Sequence, residues 1–209
     1  MTFTVIFEPQ EQYYAQQGFP YVCGVDEAGR GPLAGPVYAA AVILRPEADF
    51  PGLNDSKKLS EKTREALFDQ ICAQSIAYQI VSVGEDVIDE INILNATMQA
   101  MQQAVEGLCP AASFALIDGN RLPRLSVPGR AIVGGDARVK SIAAASVLAK
   151  VSRDRKMYEL AKQYPQYAFE KHKGYGTRLH YEMLDRYGPS SIHRQSFLKK
   201  YFEAKAHED

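Results

Sequence analysis

A chain of 209 residues, 46% hydrophobic and 23% charged, is long enough for one sizeable domain, or one domain with a small appendage, and needs no disulfides to fold. Three cysteines (Cys23, Cys72, Cys109) without a C-x-x-C pair exclude a disulfide framework and a zinc site, and read as buried free thiols of a reducing compartment. A net charge of −1 identifies no partner, no apolar run is long enough to span a membrane, and the N-terminal MTFTVIFEPQEQYYAQQ lacks the basic region of a signal peptide, so a cytoplasmic protein is expected.

The elements follow in chain order. Residues 21–27 (YVCGVDE) are a short apolar run ending in two acids and predict a buried strand. The Gly/Pro loop 28–35 leads into a second strand over 36–45, a hairpin-like pair around a rigid turn. Ser60 is placed to cap a helix that runs to about residue 74, with Leu67, Phe68 and Ile71 at helical spacing. A strand is expected over 76–83. A helix is expected over 91–108, with Leu94, Met98, Met101 and Val105 on one face and Gly107 near its end. Strands over 113–118 and 130–133 precede a long helix over 141–164, stopped by Pro165. The rest reads as loop and short helices. The pattern predicts an α/β fold with a mixed central sheet flanked by helices. A catalytic domain over 1–165 is expected, with a helical C-terminal extension over 166–209 packed on it.

Charge is unevenly distributed. Residues 1–149 carry 11 Lys/Arg against 17 Asp/Glu, whereas residues 150–209 carry 13 against 8 together with all four histidines (172, 180, 193, 207). An acidic body with a basic tail suits a protein that holds metal with one part and a polyanion with another; a solvated basic helical surface is the plainer reading.

Four acids stand where strands stop: Asp26 and Glu27, Asp118 before Gly119-Asn120, and Asp136 after Gly134-Gly135. Acids at the ends of apolar strands are costly without compensation, and a divalent cation with hard oxygen ligands, Mg²⁺ or Mn²⁺, compensates them. Four carboxylates suffice for two ions about 4 Å apart, the arrangement for in-line displacement at phosphorus. Alternatively, Asp118 begins an Asx turn and Asp136 caps the next element.

Gly29-Arg30-Gly31 follows the first acids; glycines permit close backbone approach to a ligand, and Arg30 can pair with phosphate. Pro32 and Pro36, with a strand rather than a helix following, exclude a dinucleotide fingerprint, and there is no G-K-[ST] loop. No G-x-S-x-G occurs and the histidines bunch in the tail, which argues against Ser-His-Asp hydrolysis. Lys171-His172-Lys173-Gly174-Tyr175-Gly176 is basic, Gly-rich and aromatic, suited to stacking on a sugar or base with lysines meeting phosphates, or simply to a turn with a packed Tyr.

The run from Gly24 to Pro36 (GVDEAGRGPLAGP) resembles the signature of ribonuclease HII, the type 2 ribonuclease H family. Further blocks resemble that family in order: Asp55-Ser56-Lys57-Lys58-Leu59, Asn92-Ile93-Leu94, Ile117-Asp118-Gly119-Asn120, Gly135-Asp136, Ser141 to Arg155, His172 to Gly176 and His193-Arg194-Gln195-Ser196-Phe197. The resemblance implies a ribonuclease H-like fold. It also implies endonucleolytic cleavage of RNA paired to DNA, including 5′ of a single ribonucleotide in duplex DNA. On that resemblance Asp26, Glu27, Asp118 and Asp136 are the catalytic, metal-holding acids. Gly29, Arg30 and Gly31 read the 2′-hydroxyl, and Tyr175, with Lys173 beside it, meets the neighbouring deoxynucleotide. Asp154 tunes the site from its edge, with a helix-surface ion pair as its plainer use.

One departure stands out: many relatives carry Lys-Gly-Asp where this chain has Gly134-Gly135-Asp136, and Lys140 or Lys150 is a candidate replacement for the missing cation. Gln195, Leu198, Tyr201 and Phe202 fit the spacing of a sliding-clamp-binding peptide, although an amphipathic helix packed inward is the plainer use. A monomer acting on RNA/DNA hybrid and ribonucleotide-containing duplex is expected. The competing readings are another carboxylate nuclease or strand-transfer enzyme, and a non-catalytic nucleic-acid-binding module.

Overall fold

The computed structural model describes residues 7–54 and 56–206; Asp55, His207 and residues 1–6 of the N-terminal segment lie outside the described residues. The chain forms α1 (Gln10–Gln16), β1 (Val22–Ala28), β2 (Val37–Leu44), α2 (Glu61–Gln74), β3 (Ser75–Val83), α3 (Glu85–Glu106), β4 (Phe114–Asp118), β5 (Gly129–Ile132), α4 (Lys140–Gln163), α5 (Phe169–His172), α6 (Arg178–Tyr187) and α7 (Lys199–Ala206). The strands pair in the order β3-β2-β1-β4-β5. The β1–β2 and β2–β3 pairs are antiparallel, β1–β4 and β4–β5 parallel, so the sheet is mixed as expected.

Strand alternation sorts the core into two layers. Ala39, Ala41 and Ile43 of β2 turn toward α3, together with Cys23 and Val25 of β1. Ala40 and Val42 turn toward α4 and α2, against Ala143, Ala144, Val147 and Leu148. Helix α4 is nearly surrounded: every residue from Ser141 to Ala149 is buried. Its alanines let it come close to the sheet, and Gly24 completes that approach, since a Cβ there would lie 2.2 Å from the Ser141 carbonyl carbon. Full burial of side chains such as Ile142 and Leu148 contributes about 1.5–3 kcal/mol each.

Ser60 caps α2 as expected, its Oγ accepting from Thr63 N at 3.1 Å. Helix α3 begins earlier than the apolar spacing indicates, because Asn92 (φ 67°, ψ 161°) breaks it into two pieces. Asn92 Oδ1 accepts from Asn95 N at 3.0 Å and so caps the second piece, while the polar first piece carries too few apolar residues to register as periodic. Only Cys23 is a buried thiol; Cys72 is half-buried and Cys109, at the turn after α3, is exposed. No helix among the described residues is long and apolar enough to cross a membrane.

After α4 the chain folds back over the 28–36 loop. Leu33 N donates to Gly174 O at 2.8 Å, Gly35 N to Ile192 O at 2.9 Å and Arg194 N to Leu33 O at 2.8 Å. A small core of Leu33, Met157, Tyr167, Phe169, Leu184 and Leu198 lies beneath.

Candidate active site

Strands β1 and β4 run parallel with Val25 opposite Ile117, so Asp26 and Asp118 emerge side by side at their carboxyl ends. That end of an open α/β sheet is where ligands bind, because the chain leaves the sheet there and opens a crevice. Alternation turns Asp26, like Gly24, toward α4, where the Ser146 hydroxyl bonds its carboxylate. Glu27 takes the opposite face and meets Arg30 Nη1 at 3.4 Å. Asp118 Oδ1 accepts from Gly135 N at 2.7 Å, which ties the 134–137 turn to the end of β4 and brings up Asp136. Asp136 is 8% exposed and Asp26 4%. The structure therefore places all four sequence-predicted acids at one end of the sheet.

These acids repel one another. Burial pushes the Asp26 carboxyl well above the usual range, and the charges of Glu27 and Asp118 push it further. Burial also raises Glu27, against the pull of Arg30. Hard oxygen donors that are buried, crowded and short of positive charge fit Mg²⁺ or Mn²⁺. Among the described residues no group of three or more His, Cys, Asp or Glu side chains is arranged to hold a metal ion by itself; an Mg²⁺ site built on one or two carboxylates and substrate phosphate does not require one.

The cation beside Asp136 is neither Lys140 nor Lys150. Lys140 Nζ donates to Ala48 O at 3.0 Å and Lys150 Nζ to Asp154 Oδ1 at 2.6 Å. Lys57 takes that place instead, its Nζ 3.9 Å from Asp136 Oδ2. Sequence distance hid it, and the segment is tied in by two contacts: Ser56 Oγ lies 2.8 Å from Ser146 Oγ, and Arg64 donates to Ser56 O at 3.0 Å. Asp154 is buried rather than on the helix surface, paired with Lys150 and, at 3.7 Å, with Arg64. It thus reaches the acid cluster through Arg64 and the Lys57 segment.

Beside the acids, Glu27, Arg30, Leu94, Met98, Asp118 and Arg121 line an open cleft of about 270 Å³. The apolar stripe of α3 divides here: Val105 is buried in the core, Leu94 and Met98 reach the cleft, and the buried Met101 forms part of its wall. Gly29 has φ +95°, and a Cβ on it would lie 2.0 Å from Arg153 Nε, so only glycine fits. A Cβ on Gly31 would meet Tyr175 Cε1 at 3.7 Å, which brings the Gly29-Arg30-Gly31 loop and Tyr175 together across 144 positions of chain. Tyr175 is 43% exposed. The Lys173 ammonium lies 3.8 Å from the Tyr158 ring centre and donates to Glu170 O, so it meets a phosphate only by leaving both. Sequence reasoning missed Arg153 and Arg194, which are fully buried and bind loop carbonyls. A basic residue in a helix or tail carries no mark of such a use.

A family model described as ribonuclease HII matches residues 23–200. The chain is 54% identical over 189 residues to the ribonuclease HII of Caldicellulosiruptor bescii, across 90% of this chain and 92% of that one. Ribonuclease H2 from Pyrococcus horikoshii superposes with a TM-score of 0.69 at 27% identity, across 84% of this chain and 92% of that one. The ribonuclease HII of Archaeoglobus fulgidus, solved as a complex with PCNA, has the same fold, with a TM-score of 0.68 at 24% identity across 83% and 93%. The carboxylates at the strand ends, the mixed five-stranded sheet and a family match over most of the sequence agree: the chain belongs to the ribonuclease HII family, the type 2 ribonuclease H endonucleases.

Proposed function

We propose that this protein cuts the RNA strand of RNA/DNA hybrids, incises 5′ of single ribonucleotides embedded in duplex DNA, and leaves 3′-hydroxyl and 5′-phosphate ends by two-metal-ion hydrolysis. The observation that carries the reading is the juxtaposition of a buried, crowded acid cluster with a glycine loop and an exposed tyrosine. Asp26, Glu27, Asp118 and Asp136 hold the ions, Mg²⁺ or Mn²⁺, which when bound supply charge compensation and Lewis acidity at the scissile phosphate. Lys57 stands beside Asp136, its ammonium 3.9 Å from Oδ2. Gly29, Arg30 and Gly31 face the 2′-hydroxyl, the one handle that separates RNA from DNA at a single nucleotide. A site built to bond a hydroxyl strongly rejects the analogue that lacks it, because its own polar groups would go unpaired. Tyr175 packs against the sugar of the next deoxynucleotide, with Lys173 beside it. On this reading residues 1–165 carry the chemistry, and the 166–209 extension supplies the Tyr175 half of the junction reader. The protein acts as a monomer in the cytoplasm, in replication and repair.

A sliding clamp is a weaker partner reading. Phe202 is 42% exposed, but Leu198 is fully buried, and Tyr201 bonds Asp185 at 2.9 Å, so Gln195–Phe202 already serves the fold.

The decisive experiment is incision of labelled duplex DNA carrying one ribonucleotide, with Mg²⁺, Mn²⁺ or chelator, beside all-DNA duplex and an Asp136→Asn variant. Metal-dependent cutting 5′ of the ribonucleotide, reduced at least about 10³-fold in the variant, is expected. Equal cutting of all-DNA duplex overturns the 2′-hydroxyl reading; binding without cutting favours a non-catalytic module.

A further inference from the structure

Tyr175 and the Gly29–Gly31 loop come from opposite ends of the chain, and one dipeptide touches the supports of both. Arg194 is fully buried and spends its guanidinium on main-chain carbonyls: Nη2 donates to Gly29 O at 2.7 Å, Nη1 to Arg30 O at 3.0 Å and Nε to Gly35 O at 2.9 Å. A planar fork of donors suits this; an ammonium has no such reach. Its neighbour His193 supports the other half through a chain whose proton positions are fixed by main-chain donors. Ser190 N donates to His193 Nδ1 at 2.9 Å, so the His193 proton sits on Nε2. His193 Nε2 donates to His180 Nε2 at 3.0 Å, so the His180 proton sits on Nδ1, from which it donates to Tyr175 O at 3.0 Å. Arg153 adds a second tie, its Nη2 donating to Ala34 O at 3.3 Å and to Lys173 O at 3.0 Å. Lys173 itself has φ 51°, a conformation that persists only when its surroundings enforce it.

We propose that His193–Arg194 is the positioning element for junction specificity: Arg194 sets the main chain under Gly29–Gly31, and His193, through His180, sets the main chain of Tyr175, so the two halves of the reader keep one spacing. This rests on the functional reading above. Neither residue touches substrate. Their effect is on a duplex where both halves engage together, a ribonucleotide followed by a deoxynucleotide, more than on a uniform hybrid.

The test is the ratio of kcat/KM on a single-ribonucleotide duplex to kcat/KM on a uniform RNA/DNA hybrid of the same sequence. Arg194→Lys is expected to lower the ratio about 10- to 100-fold, the effect of an ångström-scale misplacement. His180→Gln, which loses the donor at the Nδ1 position, is expected to lower it in the same direction. His193→Gln, whose amide reproduces the Nε2 donor to His180, keeps most of it. A general loss of folded protein lowers both substrates equally and leaves the ratio unchanged. If Arg194→Lys yields no folded protein, His180→Gln and His193→Gln decide. Wild-type protein that discriminates while Arg194→Lys and His180→Gln retain its ratio overturns the inference alone. Wild-type protein that cuts all-DNA duplex as well as ribonucleotide-containing duplex overturns the functional reading and the inference with it.

Discussion

The acid end of β1 and β4 and the histidine–arginine hub beneath the Gly29–Gly31 loop are both built from buried titratable side chains, yet they stand in opposite electrostatic states. Asp26 is surrounded by its own kind, with Glu27 and Asp118 raising its carboxyl beyond what burial does. In the hub each ring nitrogen of His172, His180 and His193 has a partner, and burial holds His180 and His193 neutral, their values pushed down to about 4. A region meant to receive cations keeps repulsion at its centre, with Arg30 and Lys57 only at its edge. A region meant to hold a shape satisfies nearly all its polar groups from within, the buried Arg153 Nη1 being an exception, and so has one arrangement. The same contrast explains why the acids are conspicuous in the sequence and the hub is not.

The most damaging way to break the hub side is Gly29→Ala. The new methyl group collides with Arg153 Nε in a backbone of positive φ, so stability is expected to fall by roughly 2–4 kcal/mol, read as a lower urea midpoint with little change in slope. Arg153 has nowhere to retreat, since it lies fully buried against the carbonyls of Pro36 and Ala34.

Breaking the acid side has the opposite sign. Asp26→Asn removes a charge from a crowded, buried position, so the metal-free protein is expected to melt about 2–4 °C higher, the shift that about 1 kcal/mol produces in a domain of this size. Mg²⁺ or Mn²⁺ should then raise the melting temperature of the wild type more than that of the variant. An Asp26→Asn protein that melts lower without metal would show that the acids are stabilised by something other than a cation.

The smallest effect separates the two regions by pH. His180 and His193 have folded values of about 4 against 6.5 unperturbed, so their contribution is complete above about 6.5 and is lost as pH falls toward 4. Asp26 and Glu27 have raised values, so the folded state holds their protons more tightly and gains stability as pH falls through that raised range. Urea midpoints of metal-free protein between pH 7 and 4.5 should therefore fall less steeply in His180→Asn than in wild type, and more steeply in Asp26→Asn. Parallel profiles for all three proteins would contradict the assignment.

Much of this molecule was legible from residue order. Short apolar runs bounded by turn residues marked all five strands within a residue or two, because the central strands are buried on both faces and read as continuous apolar runs. Ser60 marked the start of α2, and the acids at strand ends marked the candidate site, because local chemistry carries those signals. Asn92 hid the first piece of α3, since a polar cap in mid-helix interrupts the period that reveals a helix. The sequence by itself determined the α/β class, the strands and the four acids. The tertiary structure alone decided that Lys57 rather than Lys140 or Lys150 accompanies Asp136, that Asp154 is buried in an ion network, and that Arg194 holds the Gly29–Gly31 loop from 165 residues away. The physical reason is common to all three. Burial and pairing of a charged side chain depend on what distant segments bring beside it, and nothing in its neighbours along the chain records that meeting.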